Sequence, residues 1–280
     1  MAKKRRKKKR GKAPKWTLAN ADRYALYEES VYDPEADLDF LLRIFKEEGR
    51  PQPMVLREDF AGTCKLAGLW VASHPKRTAV CLDLDPEPLQ YGLERHLAPI
   101  GAAAERVDQR LEDVLSSKTP AADVVTAFNF SYWGFKDRGT MKRYFKRVHK
   151  CLQDGGAFVL DLQGGPDAQI ACEEEREQDG FWYVWETEAM DAITGDVRCW
   201  IHFDFEDGTR LAKAFEYDWR VWHLTELRDL LSEAGFEQVD VYWEGTEEDG
   251  EGDGDFQKTA TAENEEAWIA YIVAWKTATG

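Results

Sequence analysis

At 280 residues, 43% of them apolar, the chain can bury one large core, or one core with a modest subdomain, and a single catalytic domain is the economical expectation. No run approaches the ~18 apolar residues of a membrane span, the start lacks the apolar stretch of a secretion signal, and five widely spaced cysteines without a CxxC pair exclude a zinc clamp or thiol-exchange motif; a cytoplasmic protein without a bound metal is expected. The formal charge of −16 argues against a broad nucleic-acid footprint on the body of the protein.

In chain order, residues 1–15 hold ten of the 37 lysines and arginines and no acid, leaving 27 basic against 53 acidic side chains elsewhere. Like charges repel and nothing apolar is there to bury, so a disordered basic arm is expected. Its use is either binding of phosphate-rich polymers or solubilisation. Residues 16–280 then form the folded domain. Arg23-Tyr24-Ala25-Leu26-Tyr27 and Tyr32 supply aromatic residues to an opening helix. From Met54 onward, short apolar runs alternate with helical patterns, the signature of βαβ units in a parallel sheet. Strands are expected at 54–57, 78–83, 106–109, 123–128 and 157–162. Asp85-Pro86-Glu87 reads as a helix start, with an N-cap and a proline at the first helical position. Met141, Tyr144, Phe145, Val148 and Leu152 form an apolar stripe stopped by Asp154-Gly155-Gly156. After Leu162 the pattern becomes antiparallel, with strands at about 181–188, 197–205 and 210–219, an inserted β subdomain serving as lid or platform. A helix carrying Leu227, Leu230, Leu231 and Ala234 ends at Gly235. The chain closes with a hairpin of 239–243 and 268–275. Between them Glu244–Asp255 has seven acids and four glycines, and a flexible acidic loop over about 244–266 is expected.

The chemistry concentrates in Val55–Cys64, an apolar strand running into a small-residue turn and then a helix from Lys65. Such a turn lets backbone amides approach a nucleotide-like ligand at the carboxyl ends of parallel strands. Asp83, at the end of the second strand, is placed to accept hydrogen bonds from ribose hydroxyls. Taken singly either acid reads as a cap or a surface charge; the ordered set of strand, turn, helix, strand and acid reads as a nucleoside site. Arg57 is unusual in a buried strand, where an unpaired cation is costly. It pairs with Glu58 or another acid, or receives a ligand carboxylate.

Over about residues 20–275 the chain resembles the class I S-adenosylmethionine-dependent methyltransferases. Their first motif, acid-x-Gly-x-Gly-x-Gly, is matched by Glu58-Asp59-Phe60-Ala61-Gly62-Thr63-Cys64 with the middle glycine kept. The run LREDF-x-GT, here Leu56–Thr63, looks like that of a bacterial subgroup, a resemblance that brings no acceptor with it. The resemblance implies a Rossmann-like α/β fold, a seven-stranded sheet with an antiparallel last strand, and S-adenosylmethionine as cofactor. It implies Glu58, Ala61 and Gly62 in the cofactor loop, Asp83 on the ribose, Leu84 and Leu111 around the adenine, and Glu112 and Asp113 near its amino group. Asn129 and Phe130 would line the methionine moiety and face the acceptor, and Tyr27 would belong to a segment folding over the cofactor.

Methyl transfer from a sulfonium needs alignment and exclusion of water more than acid–base help. If a base is used, Tyr132, His202, Asp161 and His223 are the candidates; a histidine in an aromatic hairpin is more often packed than catalytic. Trp182, Trp185, Trp200, Trp219 and Trp222 serve either as an aromatic wall for an amine or flat acceptor, or as packing. The start of an EF-hand pattern at Asp249 fails at Ala260, where a glutamate is required. Asn129-Phe130-Ser131 spells a glycosylation sequon at a strand end in a chain without a secretion signal. Two alternatives to a small-molecule methyltransferase stand: a nucleic-acid- or ribosome-associated protein recruited by residues 1–15, and an NAD(P)-dependent oxidoreductase.

Overall fold

The computed structural model describes residues 14–246 and 252–277, which divide into two compact units. The larger contains residues 33–168 and the part of the chain after Val221. Its centre is a parallel run of five strands: β1 (Val55–Asp59), β2 (Thr78–Asp83), β3 (Val107–Leu111), β4 (Ala122–Ala127) and β5 (Leu152–Gly164). With β10 (Gln238–Thr246), β11 (Gly252–Thr259) and β12 (Trp268–Trp275) the order is β11-β10-β12-β5-β4-β1-β2-β3. Strand β12 runs antiparallel to both β5 and β10, as expected of the last core strand. The sheet has eight strands rather than seven because β11 adds an outer edge to β10.

The helices start and stop where local chemistry dictates. Helix α2 (Pro34–Glu47) begins with proline after Asp33, whose carboxylate accepts from the Ala36 amide, and α4 (Pro86–Gly92) repeats the device with Asp85 and the Glu87 amide; both satisfy amides that no helical carbonyl can reach. Helix α5 (Arg138–Cys151) is capped by Asp137, and α6 (Leu224–Ala234) ends on Gly235 at φ +113°, a left-handed conformation that glycine takes without steric cost. Helix α3 (Lys65–Ser73) has no side-chain cap of its own. Glu58 of β1 serves instead, accepting from the Ala67 amide at 3.2 Å.

The smaller unit contains residues 14–32 and 169–221. Helix α1 (Arg23–Val31) belongs to it, with the antiparallel sheet β6 (Cys172–Gln178), β7 (Phe181–Thr187), β8 (Asp196–Phe205) and β9 (Arg210–Arg220). Leu26 of α1 is buried with Phe181, Tyr183, Ile201, Phe203 and Phe205. Three of these strands follow from alternation in the sequence. The fourth, β6, reads Cys-Glu-Glu-Glu-Arg-Glu-Gln and is exposed along most of its length; backbone pairing to β7 across Cys172↔Thr187 to Gln178↔Phe181 forms it, a cause with no hydrophobic signature.

Other differences also have a physical origin. The segment 244–266, expected as a mobile acidic loop, includes the end of β10 and all of β11, while residues 247–251 lie outside the described ones. Phe256 anchors β11, its ring centroid 4.5 Å from that of Tyr271. Lys258 sits 2.7 Å from Glu48 and 2.9 Å from Asp240, and Arg43 donates to the Phe256 carbonyl at 2.7 Å. Strands β10 and β12 do pair, but β11 lies between them in the chain, so they do not form a simple hairpin. The expected disordered basic arm falls on residues outside those described, apart from Pro14 and Lys15; Lys15 reaches Glu29 at 3.2 Å and Asp179 at 3.0 Å. No helix among the described residues is long and apolar enough to cross a membrane.

Candidate functional site

The candidate site lies in the larger unit, where the parallel strands end. Alternation along β1 sends its side chains to opposite faces. Glu58 takes the α3 side, with its register partners Cys81 and Thr126. Arg57 and Asp59 take the other side, beneath α5, where Tyr144 donates to Asp59 at 2.9 Å. Arg57 is 2% exposed and forks onto Asp59 at 2.6 and 3.1 Å, with further bonds to Thr119 Oγ1 and the Val114 carbonyl. The buried cation is thus fully engaged inside the protein; burial raises the Asp59 pKa and the facing guanidinium opposes that rise.

Beyond Asp59 the chain turns through Phe60, Ala61, Gly62, Thr63 and Cys64. Three residues of the turn have positive φ: Phe60 (57°), Gly62 (51°) and Cys64 (54°). These are the three glycine positions of the acid-x-Gly-x-Gly-x-Gly motif, so the backbone keeps the motif's shape where two of its glycines are gone. A left-handed residue other than glycine costs roughly 1–2 kcal/mol, and packing offsets it at both substituted positions. The Phe60 ring lies 5.7 Å from Phe135 and 5.8 Å from Tyr144, and Cys64 is fully buried beside Gln109. The turn is also stitched to β2: the Ala61 amide donates to the Leu82 carbonyl at 2.9 Å, and the Gly62 amide to Asp83 Oδ2 at 2.8 Å. From outside, Gly92 of α4 presses on it so closely that a Cβ there would meet the Thr63 carbonyl oxygen at 1.9 Å. At Gly62 a Cβ would meet nothing within 4 Å, so the tightly held turn faces open space there.

Asp83 also accepts from the Asp85 amide at 2.9 Å, and burial raises its pKa against these bonds. Its backbone carbonyl accepts from the Glu112 amide at 3.0 Å, joining the ends of β2 and β3. Asp83 and Leu111 are register partners. Leu84 and Leu111 are 69% and 58% exposed, two large apolar side chains left in solvent beside the acid. Glu112 accepts from Ser117 Oγ at 2.7 Å, and Asp113 accepts from the Leu115 amide at 2.8 Å. Glu58, Ala61, Gly62, Asp83, Leu84, Leu111, Glu112 and Asp113 are therefore gathered along one edge of the sheet.

After β4, Asn129 and Phe130 are both left-handed, at φ 55° and 54°. Their consecutive amides donate to Asp161 of β5, at 2.6 Å to Oδ2 and 2.9 Å to Oδ1. Tyr132 is fully buried with its hydroxyl on the Asp161 carbonyl at 2.7 Å, and burial first, then the Asp161 charge, raises its phenol pKa well above the usual value, so it stays protonated near neutrality. Asp161 is 9% exposed, and its pKa is pushed up to about 7, by burial and, against the two amides, by the nearby Asp37. Asp37 of α2 is likewise pushed up to about 7 by burial, while accepting from the Tyr271 hydroxyl at 2.6 Å.

Two further sequence candidates belong to the smaller unit. Tyr27 packs on Phe215, ring centroids 5.1 Å apart. His202 is buried at a bulge between β8 and β9, its Nδ1 accepting from the Lys213 amide at 2.9 Å; its Nε2 lies 2.9 Å from Glu186, outside hydrogen-bond alignment. In the larger unit His223 precedes α6 and is exposed, and Trp222 bonds the Phe135 carbonyl at 3.1 Å. Sequence reasoning missed Gly92 and Asp37, and saw in Asp161 only a possible base. An isolated glycine inside a helix pattern was a usable signal for the first.

No family model matches the chain, and no curated protein matches it. Among solved structures it is similar to an S-adenosylmethionine-dependent methyltransferase from Clostridium acetobutylicum, at 19% identity over 90% of this chain and 97% of that one, with a TM-score of 0.67. It is similar to a sugar N-methyltransferase from a Streptoalloteichus species, at 17% identity over 96% and 98%, TM-score 0.60. An amino pentose methyltransferase from Micromonospora echinaspora, solved with S-adenosylmethionine bound, aligns at 13% identity over 89% and 95%, TM-score 0.61. With β12 antiparallel to both of its neighbours, β5 and β10, beside a run of five parallel strands, and the strand order given above, the chain has the fold of the class I S-adenosylmethionine-dependent methyltransferases.

Proposed function

We propose that the protein is an S-adenosylmethionine-dependent methyltransferase acting on a small-molecule acceptor. The observation that carries this reading is the junction of the β1 turn with β2: the Gly62 amide held on Asp83, open space in front of Gly62, and the exposed pair Leu84 and Leu111 alongside. A carboxylate with spare lone pairs beside two apolar side chains suits a ribose carrying a flat base. Asp83 holds the ribose hydroxyls, Leu84 and Leu111 enclose the adenine, and Glu112 and Asp113 meet its amino group. Ala61 and Gly62 present backbone at close range, and Asn129 and Phe130 border the methionine end. Glu58 acts by capping α3, and Arg57 by fixing Asp59 behind the turn.

The cofactor supplies a methyl group on a sulfonium, ready for displacement. The chain's task is to align a neutral nucleophile with that methyl and exclude water. Neighbours described as acting on sugars and amino sugars make amines the first acceptors to screen. The five free cysteines suit a cytoplasmic setting. The test is calorimetry of the full chain with S-adenosylhomocysteine and, separately, NADH. Micromolar binding of the former alone is expected; no heat with it, or preference for NADH, refutes the reading.

A further inference from the structure

The loop after β4 is held by an unusual device. Two consecutive residues with side chains, Asn129 and Phe130, both adopt left-handed backbone, which asparagine takes readily but which costs phenylalanine roughly 1–2 kcal/mol. Their consecutive amides converge on one carboxylate, Asp161. We propose that Asp161 is the positioning residue of the acceptor-facing loop: its ionised carboxylate clamps the Asn129 and Phe130 amides, and protonation releases the loop. That the loop faces an acceptor rests on the methyl-transfer reading; how it is held does not.

The groups around Asp161 fix the direction of the effect. On β12, Tyr271 is its register partner; from α2 comes Asp37, held by Tyr271; in the turn after β4, Tyr132 binds the Asp161 carbonyl. Glu244 of β10 acts on Tyr271 as well. No ion pair to a cation forms at Asp161 or Asp37 among the described residues. Burial first and the Asp37 charge after it raise Asp161, and burial first and the Asp33 charge after it raise Asp37, each to about 7. Protonation turns one Asp161 oxygen into a donor facing an amide donor, so at least one of the two bonds is lost.

The experiment follows the amide resonances of Asn129 and Phe130 in the isotopically labelled full chain between about pH 5.5 and 8.5, in the wild type and in Asp37→Asn. Both resonances are expected to move together, with a midpoint near 7 in the wild type and at lower pH in Asp37→Asn, because one of the two repelling charges has gone. Asp161→Asn should abolish the transition, but the Asp37 variant suffices if that protein fails to fold. Resonances that do not titrate, or a midpoint indifferent to Asp37→Asn, overturn the proposal. In turnover assays the acidic limb of kcat/KM for the acceptor should shift with the same substitution. Failure of S-adenosylhomocysteine to bind would remove the loop's acceptor-facing role and leave the resonance test of the clamp intact.

Discussion

The two turns at the edge of the parallel sheet solve one geometric problem by different means. Both carry side-chain-bearing residues in left-handed backbone: Phe60 and Cys64 after β1, Asn129 and Phe130 after β4. The first is secured chiefly by shape, with aromatic rings around Phe60, a buried thiol at Cys64 and Gly92 pressing on Thr63, beside two stitches to β2, the Ala61 amide on the Leu82 carbonyl and the Gly62 amide on the Asp83 carboxylate. The second hangs on one carboxylate from the neighbouring strand. A turn held chiefly by packing responds most to a change of volume; a turn hung on one buried charge keeps its volume and yields to a proton.

Volume should therefore break the first turn most severely. In Gly92→Ala the new methyl would collide with the Thr63 carbonyl, a backbone atom that cannot rotate aside. A loss of about 2 kcal/mol in stability and at least a roughly tenfold weakening of S-adenosylhomocysteine binding are expected, read by thermal melts and calorimetry. Unchanged binding would show that α4 can retreat without moving the turn. Next in size is Asp83→Asn, which keeps one acceptor oxygen for the Gly62 or Asp85 amide but forfeits the charge. Affinity should fall about tenfold while the fold persists, as suits loss of a charge-assisted hydrogen bond; calorimetry beside a circular dichroism spectrum decides it.

How far these turns could be read from the sequence follows the same division. The apolar strands, the Asp85-Pro86 helix start and the Gly235 stop are written in local chemistry, and they appear where expected. The position of Asp83 was legible because it ends the second apolar strand, and the turn before α3 binds it there. The pairing of Arg57 with Asp59 rather than Glu58 follows from the two-residue period of the strand, which puts neighbours on opposite faces. Helix α2 over residues 34–47 bears the same local signals, a capping aspartate and a proline at its start. Strand β6 and the left-handed pair Asn129–Phe130 were not legible, because their causes sit on other strands: β7 supplies the pairing and β5 the carboxylate.

A smaller effect separates charge from packing at the second turn. Asp37 titrates near 7 in the folded protein, well above its ordinary value, so the folded state favours the protonated form. The stability this gives is complete below about pH 4 and is lost as pH rises through 7. Asp37→Asn has no charge to bury and still offers an acceptor to the Tyr271 hydroxyl. It should match the wild type at about pH 4 and exceed it by a margin that grows up to about pH 7 and then levels off, measured as paired thermal melts. A variant less stable at pH 8 would mean that the ionised Asp37 is compensated after all, and that the second turn is not under electrostatic load.

The smallest expected change comes from restoring a glycine to the first turn. Cys64→Gly removes left-handed strain of roughly 1 kcal/mol. It also forfeits a buried thiol, a small apolar group worth a similar amount, and frees the unfolded chain by about 0.5–1 kcal/mol. Gln109 keeps its bond to the Leu89 carbonyl when the sulfur goes. These contributions nearly cancel, so the melting temperature should fall by only a few degrees and S-adenosylhomocysteine affinity should stay within about twofold, because the backbone shape and the Gly62–Asp83 stitch are untouched. A collapse of binding in this variant would mean that the thiol itself, packed beside Cys81 and Gln109, holds the turn; shape alone would then no longer distinguish the first turn from the second.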